Sequence, residues 1–108
     1  MTYEIYTIYD SASKSYNNPF YFLNDNLATR AAIDLLQDEN EISRHPHDFT
    51  MFKIGQYDPQ IGEIYNYDKR IALVKFHELA AANPQKSQEP TLPGIDDTST
   101  QTPVLKEA

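Results

Sequence analysis

Every aromatic side chain of this sequence lies between Tyr3 and Phe76: eight tyrosines, five phenylalanines and no tryptophan. Rings supply the largest buried areas available to a small core, so residues 83–108, which have none and hold four of the seven prolines, are left with little to bury. Leu92, Ile95, Val104 and Leu105 are the sizeable apolar groups there. They cannot offset about 1–2 kcal/mol of backbone entropy per ordered residue. The sequence therefore predicts one small domain over residues 1–82 and a disordered, Pro-rich tail over residues 83–108. A chain of 108 residues has room for one core and not two.

Charge narrows the function classes. Nine basic residues face sixteen acidic ones, a net charge of −7, and that field opposes non-specific binding to a phosphate backbone unless a local patch overrides it. The tail shares the acidity and is not a basic arm. No cysteine is present, which excludes disulfide frameworks, thiolate metal sites and cysteine nucleophiles together. No apolar run approaches the length of a membrane span, and Met1-Thr2-Tyr3-Glu4 lacks a basic region ahead of an apolar one. The expectation is a soluble, unexported protein without membrane contact, for which a reducing cytoplasm fits.

Residues 3–9 (Tyr-Glu-Ile-Tyr-Thr-Ile-Tyr) are β-branched or aromatic at nearly every position and predict a strand apolar on both faces, hence central. Residues 10–18 carry turn chemistry. After Pro19, residues 20–23 read as extended, either a short strand or an ordered arm. Asp25 is the expected N-cap of a helix running to about Asp38, since Ala28, Ala31, Ala32, Leu35 and Leu36 recur at helical spacing. That stripe is expected to pack on a sheet. Residues 39–48 form a polar connection containing Pro46, which disfavours helix at His45. Residues 49–55 and 63–67 predict a hairpin around a type I turn at Asp58-Pro59, with Gly62 supplying positive φ for re-entry into the ladder. Residues 70–82 have an apolar pattern that fits a short terminal helix or a strand changing to helix near Phe76, and of the two the helix is expected. The sum is an α+β fold, a small and mainly antiparallel sheet covered by one main helix. Leftover aromatic sheet surface would suit a second copy, so a homodimer is a further expectation.

Chemistry-bearing constellations are few. His45-Pro46-His47-Asp48 with Glu41 has metal-ligand residue types, but a proline in a loop does not aim two imidazoles as helical i, i+4 spacing does. Asp34, Asp38, Glu39 and Glu41 read as a solvated face followed by a loop rather than as acid–base groups in a cleft. Gly55, Gly62 and Gly94 assemble no phosphate loop, and no serine stands in a nucleophile elbow. The expectation is a protein without enzyme activity, metal or cofactor. The tyrosines are the remaining signal. Tyr3 and Tyr9 share one strand face with Ile5 and Thr7, and Tyr6 points the other way with Glu4 and Ile8. Such a ladder suits either strand packing or stacking of single-stranded bases. Lys69-Arg70 is the one adjacent pair among scattered cations of the domain. Tyr3, Tyr6, Tyr9, Lys69 and Arg70 are therefore the candidate contacts for nucleic acid or a partner.

The order of signals carries a resemblance: Ile5-Tyr6-Thr7-Ile8-Tyr9-Asp10, then Pro19-Phe20, then Ala28-Thr29-Arg30-Ala31, then residues 45–58 from His45-Pro46-His47-Asp48 through Lys53-Ile54-Gly55-Gln56-Tyr57-Asp58. Over about residues 3–67 the chain resembles the small nonstructural protein of gokushovirus-type microviruses, the single-stranded DNA phages. The resemblance implies a viral protein in the host bacterial cytoplasm, absent from the mature virion, with an accessory role in genome replication or in the switch to single-stranded synthesis for packaging. It supplies no catalytic residue. With the acidic charge, it favours action through viral replication or packaging proteins; the alternatives are single-stranded DNA binding on a tyrosine-rich sheet and modulation of a host protein.

Overall fold

A computed structural model describes residues 1–84; the expected tail lies almost wholly outside them. Five strands form one antiparallel sheet in the order β2-β1-β4-β5, with β3 also on β1. They are β1 (Tyr3–Asp10), β2 (Ser15–Tyr16), β3 (Phe20–Phe22), β4 (Phe49–Asp58) and β5 (Glu63–Lys75). Helix α1 (Asp25–Gln37) covers one face, followed by the short α2 (Glu41–Arg44) and a 3-10 turn, Pro46–Asp48. A last helix, α3 (Phe76–Ala82), follows β5 without a break. This is the expected α+β architecture.

β1 is central, as its two-sided apolar sequence requires. β4 lies along one edge, while β2 and β3 share the other, pairing respectively with Tyr9-Asp10 and with residues 4–6. Asn17 fills the gap between them. Its backbone N–H donates to Ile8 O (3.0 Å), its Oδ1 accepts from Ile8 N (2.8 Å), and its carbonyl accepts from the buried Thr7 hydroxyl (3.0 Å). A side-chain amide thus satisfies backbone that a third paired residue would otherwise serve.

Ala28, Ala32 and Leu36 recur at four-residue spacing and are the buried positions of α1. Two alanines let the helix approach the sheet closely. With Tyr6, Ile8, Met51, Val74 and Phe76 they form the core. The N-cap is Asn24 and not the expected Asp25: Asn24 Oδ1 accepts from Leu27 N at 3.0 Å, which leaves the Asp25 carboxylate in the first turn free to face the sheet. Residues 39–48 also hold more structure than expected, because Asn40 and Ser43 close a capping box that starts α2.

The hairpin and the positive φ at Gly62 are as expected, although both strands run further than predicted and the closing bond spans four residues instead of the three of a type I turn. Gly62 has φ +70° and donates to Asp58 O at 2.8 Å. β5, however, continues to Lys75, so the helix favoured over residues 70–82 begins only at Phe76. The preceding apolar residues face β4, with Ala72 opposite Phe52 and Val74 opposite Met51. Pairing overrides a helical spacing that was equally consistent with a strand.

Three irregularities bend this half of the sheet, the first at Leu73, which is extra between Ala72, opposite Phe52, and Val74, opposite Met51. Ile54 is the extra residue of a bulge between Lys53, opposite Tyr6, and Gly55, opposite Ile5. Across from Ile54 on β5, residues 67–70 stand between the paired Asn66 and Ile71. Gly55 is required where the strands close in, because a Cβ there would lie 2.4 Å from the Tyr65 carbonyl oxygen.

Candidate interaction surface

The helices lie on one side of the sheet, and the strand registers decide what is left on the other. Tyr3, Ile5, Thr7 and Tyr9 alternate along β1 away from α1. Opposite them stand Tyr57, Gly55, Phe52 and Thr50 of β4, Tyr21 of β3 and Tyr16 of β2. Tyr9 and Tyr16 rings are 4.7 Å apart, and Tyr16 and Phe52 6.4 Å. A second pair, Tyr21 and Tyr57, meets edge to face at 6.0 Å. Ile5, 4 % exposed, lies among these side chains with no helix of the described residues over it. Tyr16 and Tyr21 each remain 44 % exposed, and Ile64, opposite Tyr57, 54 %.

Arg70 joins this surface from the β5 bulge. Its guanidinium carbon sits 5.0 Å from the Phe52 ring centroid and 5.5 Å from that of Tyr16, within cation–π range. It forms no ion pair with a carboxylate among the described residues. None of the paired positions on this face is Asp or Glu, and Asp68 stands unpaired in the bulge two residues before Arg70.

The opposite face carries a different polar chemistry at the first turn of α1. Tyr6 donates to Asp25 Oδ1 (2.9 Å), and Lys53 Nζ bonds Asp25 Oδ2 (3.1 Å) and stands 4.0 Å from Glu4 Oε1. Tyr67 donates to Glu4 Oε1 (2.6 Å) and Gln56 to Glu4 Oε2 (2.9 Å). Burial, then the hydrogen bond to Asp25, pushes the Tyr6 hydroxyl well above the ordinary phenol range. Burial and the hydrogen bond to Glu4 push Tyr67 up to about 12. Each donor here has an acceptor, and Lys53 is shared by both carboxylates. The arrangement ties α1 to β1, β4 and β5, around a hollow of about 270 Å³ lined by Glu4, Leu23, Asn24, Asp25, Asn26 and Lys53.

The five sequence candidates separate. Tyr3 and Tyr9 lie on the open face. Tyr6 does not: it is fully buried under α1, stacked on Phe20 at 5.9 Å, and is a core residue rather than a contact. Arg70 reaches the rings, and Lys69 is exposed in the same bulge. Tyr16, Tyr21, Phe52 and Tyr57 belong to the surface and were not singled out. Tyr16 sits in a segment rich in turn residues, and only the pairing Tyr9↔Tyr16 places it beside β1. His47, from the His-Pro-His segment, stacks on His77 of α3 (4.7 Å, 13° between planes) and so packs the 3-10 turn against the last helix.

The fold and surface define a small α+β protein with one helix-covered face and one open aromatic face. A family model described as phage ORF5 protein matches residues 3–79, more than two thirds of the chain, and the protein belongs to that phage family. No curated protein and no solved structure matches it.

Proposed function

We propose that this phage protein is a non-enzymatic accessory factor of the gokushovirus type. On this reading it supports genome replication, or the switch to single-stranded DNA synthesis and packaging, in the host cytoplasm, and stays out of the mature virion. Its work is binding, and the open sheet face is the working surface. The observation that carries this reading is that face itself: a row of rings, two of them nearly half exposed, on the side of the sheet that no helix of the described residues covers. Side chains of this size left accessible together mark interaction surfaces more often than solvated ones. The sequence resemblance over about residues 3–67 supplies the replication context.

The test is capture from phage-producing cells with tagged parent protein and with a Tyr16→Ala/Arg70→Gln variant, each with and without nuclease. The parent is expected to retain viral DNA, or a viral or host protein, that the variant loses, and the variant to lower the yield of single-stranded genomes. Equal capture and equal yield would remove the open face from the function.

A further inference from the structure

The occupant of the open face can be named by its chemistry. We propose that it is a single-stranded nucleic acid, with bases stacked on Tyr16 and its ring neighbours and a backbone phosphate at Arg70. This rests on the reading that the open face is the working surface.

Three observations carry the proposal. The first is ring geometry. Tyr9, Tyr16 and Phe52 form a cluster with centroid spacings of 4.7 and 6.4 Å, and Tyr21 and Tyr57 a second group at 6.0 Å. Tyr16 and Tyr21 offer surface to a flat partner. Any base has a π face, so such platforms bind strands without demanding a sequence. The second is charge. Arg70 is held over the rings with no carboxylate within ion-pair distance among the described residues, the paired positions of the face include no Asp or Glu, and Asp68 and Lys69 stand beside it in the bulge. Lys53, by contrast, is shared by Asp25 and Glu4 on the far side. Lys69 and Arg70 against Asp68 leave the bulge beside the rings net positive by one, where the whole chain carries −7.

The third observation separates this occupant from a second copy. A second copy set face to face would offer Arg70 the same rings and cations and, in the bulge of the described residues, Asp68 alone as a carboxylate, so it matches that guanidinium less well than a polyanion does. A duplex fits less well, because its bases are already stacked and cannot lie on Tyr16.

Fluorescence anisotropy of a labelled oligothymidylate titrated with the full chain across a salt series tests the proposal. Saturable micromolar binding is expected, with log Kobs falling against log salt by about 0.7 for each phosphate neutralised. Tyr16→Ala is expected to weaken binding at least ~5-fold with the salt slope unchanged, as the loss of one stacked base requires. Tyr16→Phe should restore it, and Arg70→Gln should make the slope shallower. Urea midpoints of the variants show that each is folded. Absence of saturable binding by the parent, or equal binding by parent, Tyr16→Ala and Arg70→Gln, overturns the proposal. If oligonucleotide binding fails while Tyr16→Ala abolishes self-association in sedimentation or the nuclease-resistant capture of a protein, the occupant is a protein and the open face keeps its role. If the variants change none of these, the proposed function falls with it.

Discussion

The two faces of the sheet use the same kinds of side chain for opposite ends. Under α1, Tyr6 is fully buried, its ring on Phe20 and its hydroxyl on Asp25. On the other side, Tyr16 meets Tyr9 and Phe52 yet stays nearly half exposed. Both are tyrosines on paired strands, and the strand alternation that puts Tyr6 and Tyr9 on opposite faces of β1 decides which kind each becomes. A tyrosine-rich strand is thus two surfaces interleaved, and a ladder read along the chain mixes core with contact.

The covered side is most sensitive at Phe76, which is fully buried where β5 becomes α3. Phe76→Ala is expected to cost about 3–5 kcal/mol, read from urea midpoints. A cost near 1 kcal/mol would mean that α3 is not part of the core. Gly55→Ala tests whether the open side is as tightly constrained in its backbone as the covered side is in its side chains. The added methyl meets the Tyr65 carbonyl oxygen, so a loss of about 1–3 kcal/mol is expected even though no apolar group is removed. An unchanged midpoint would show that β4 and β5 can part there without penalty.

These two positions also show what the sequence made legible. β1 and α1 were readable because their residue types and periods agree, and the hairpin because Asp58-Pro59 and Gly62 each fit one turn position. The start of α3 was not, since Ile71, Leu73, Val74, Phe76 and Leu79 suit either period and Lys75 offers no side-chain cap to mark a boundary. The candidate surface was half readable. Tyr3, Tyr9 and Arg70 carry local signals, but Tyr16, Phe52 and Arg70 come together only through the pairings of β2, β1, β4 and β5. Register and bulges are consequences of the whole sheet, and no local spacing encodes them.

A smaller effect separates the polar chemistry of the two faces. Tyr6 and Tyr67 are held neutral on the covered side, with folded pKa values above the ordinary phenol value of 10. Their contribution is therefore fully present below pH 10 and is lost as pH rises through 10 toward 12 and beyond. Thermal midpoints of the parent are expected to fall over that window, and the Tyr6→Phe/Tyr67→Phe double variant to start lower and fall less. Identical slopes would mean that these hydroxyls ionise freely in the fold. The smallest effect is expected on the open side. Tyr16→Ala should cost less than about 1 kcal/mol, because a half-exposed ring contributes only part of its area to stability. A larger loss would move Tyr16 from contact to core and erase the distinction between the faces.

The borders of the sheet bear on how this protein lives at high concentration. A free strand edge is a template on which further chains can polymerise. Along β1 that template is closed by β2, Asn17 and β3 in turn, so no long run of unpaired amides remains there. Along β5 the bulge at residues 67–70 interrupts the line and places Asp68, Lys69 and Arg70 in its middle, the combination of kink and charge that resists edge-to-edge growth. Fibre formation needs a straight border, and the described residues present none on either side of the sheet.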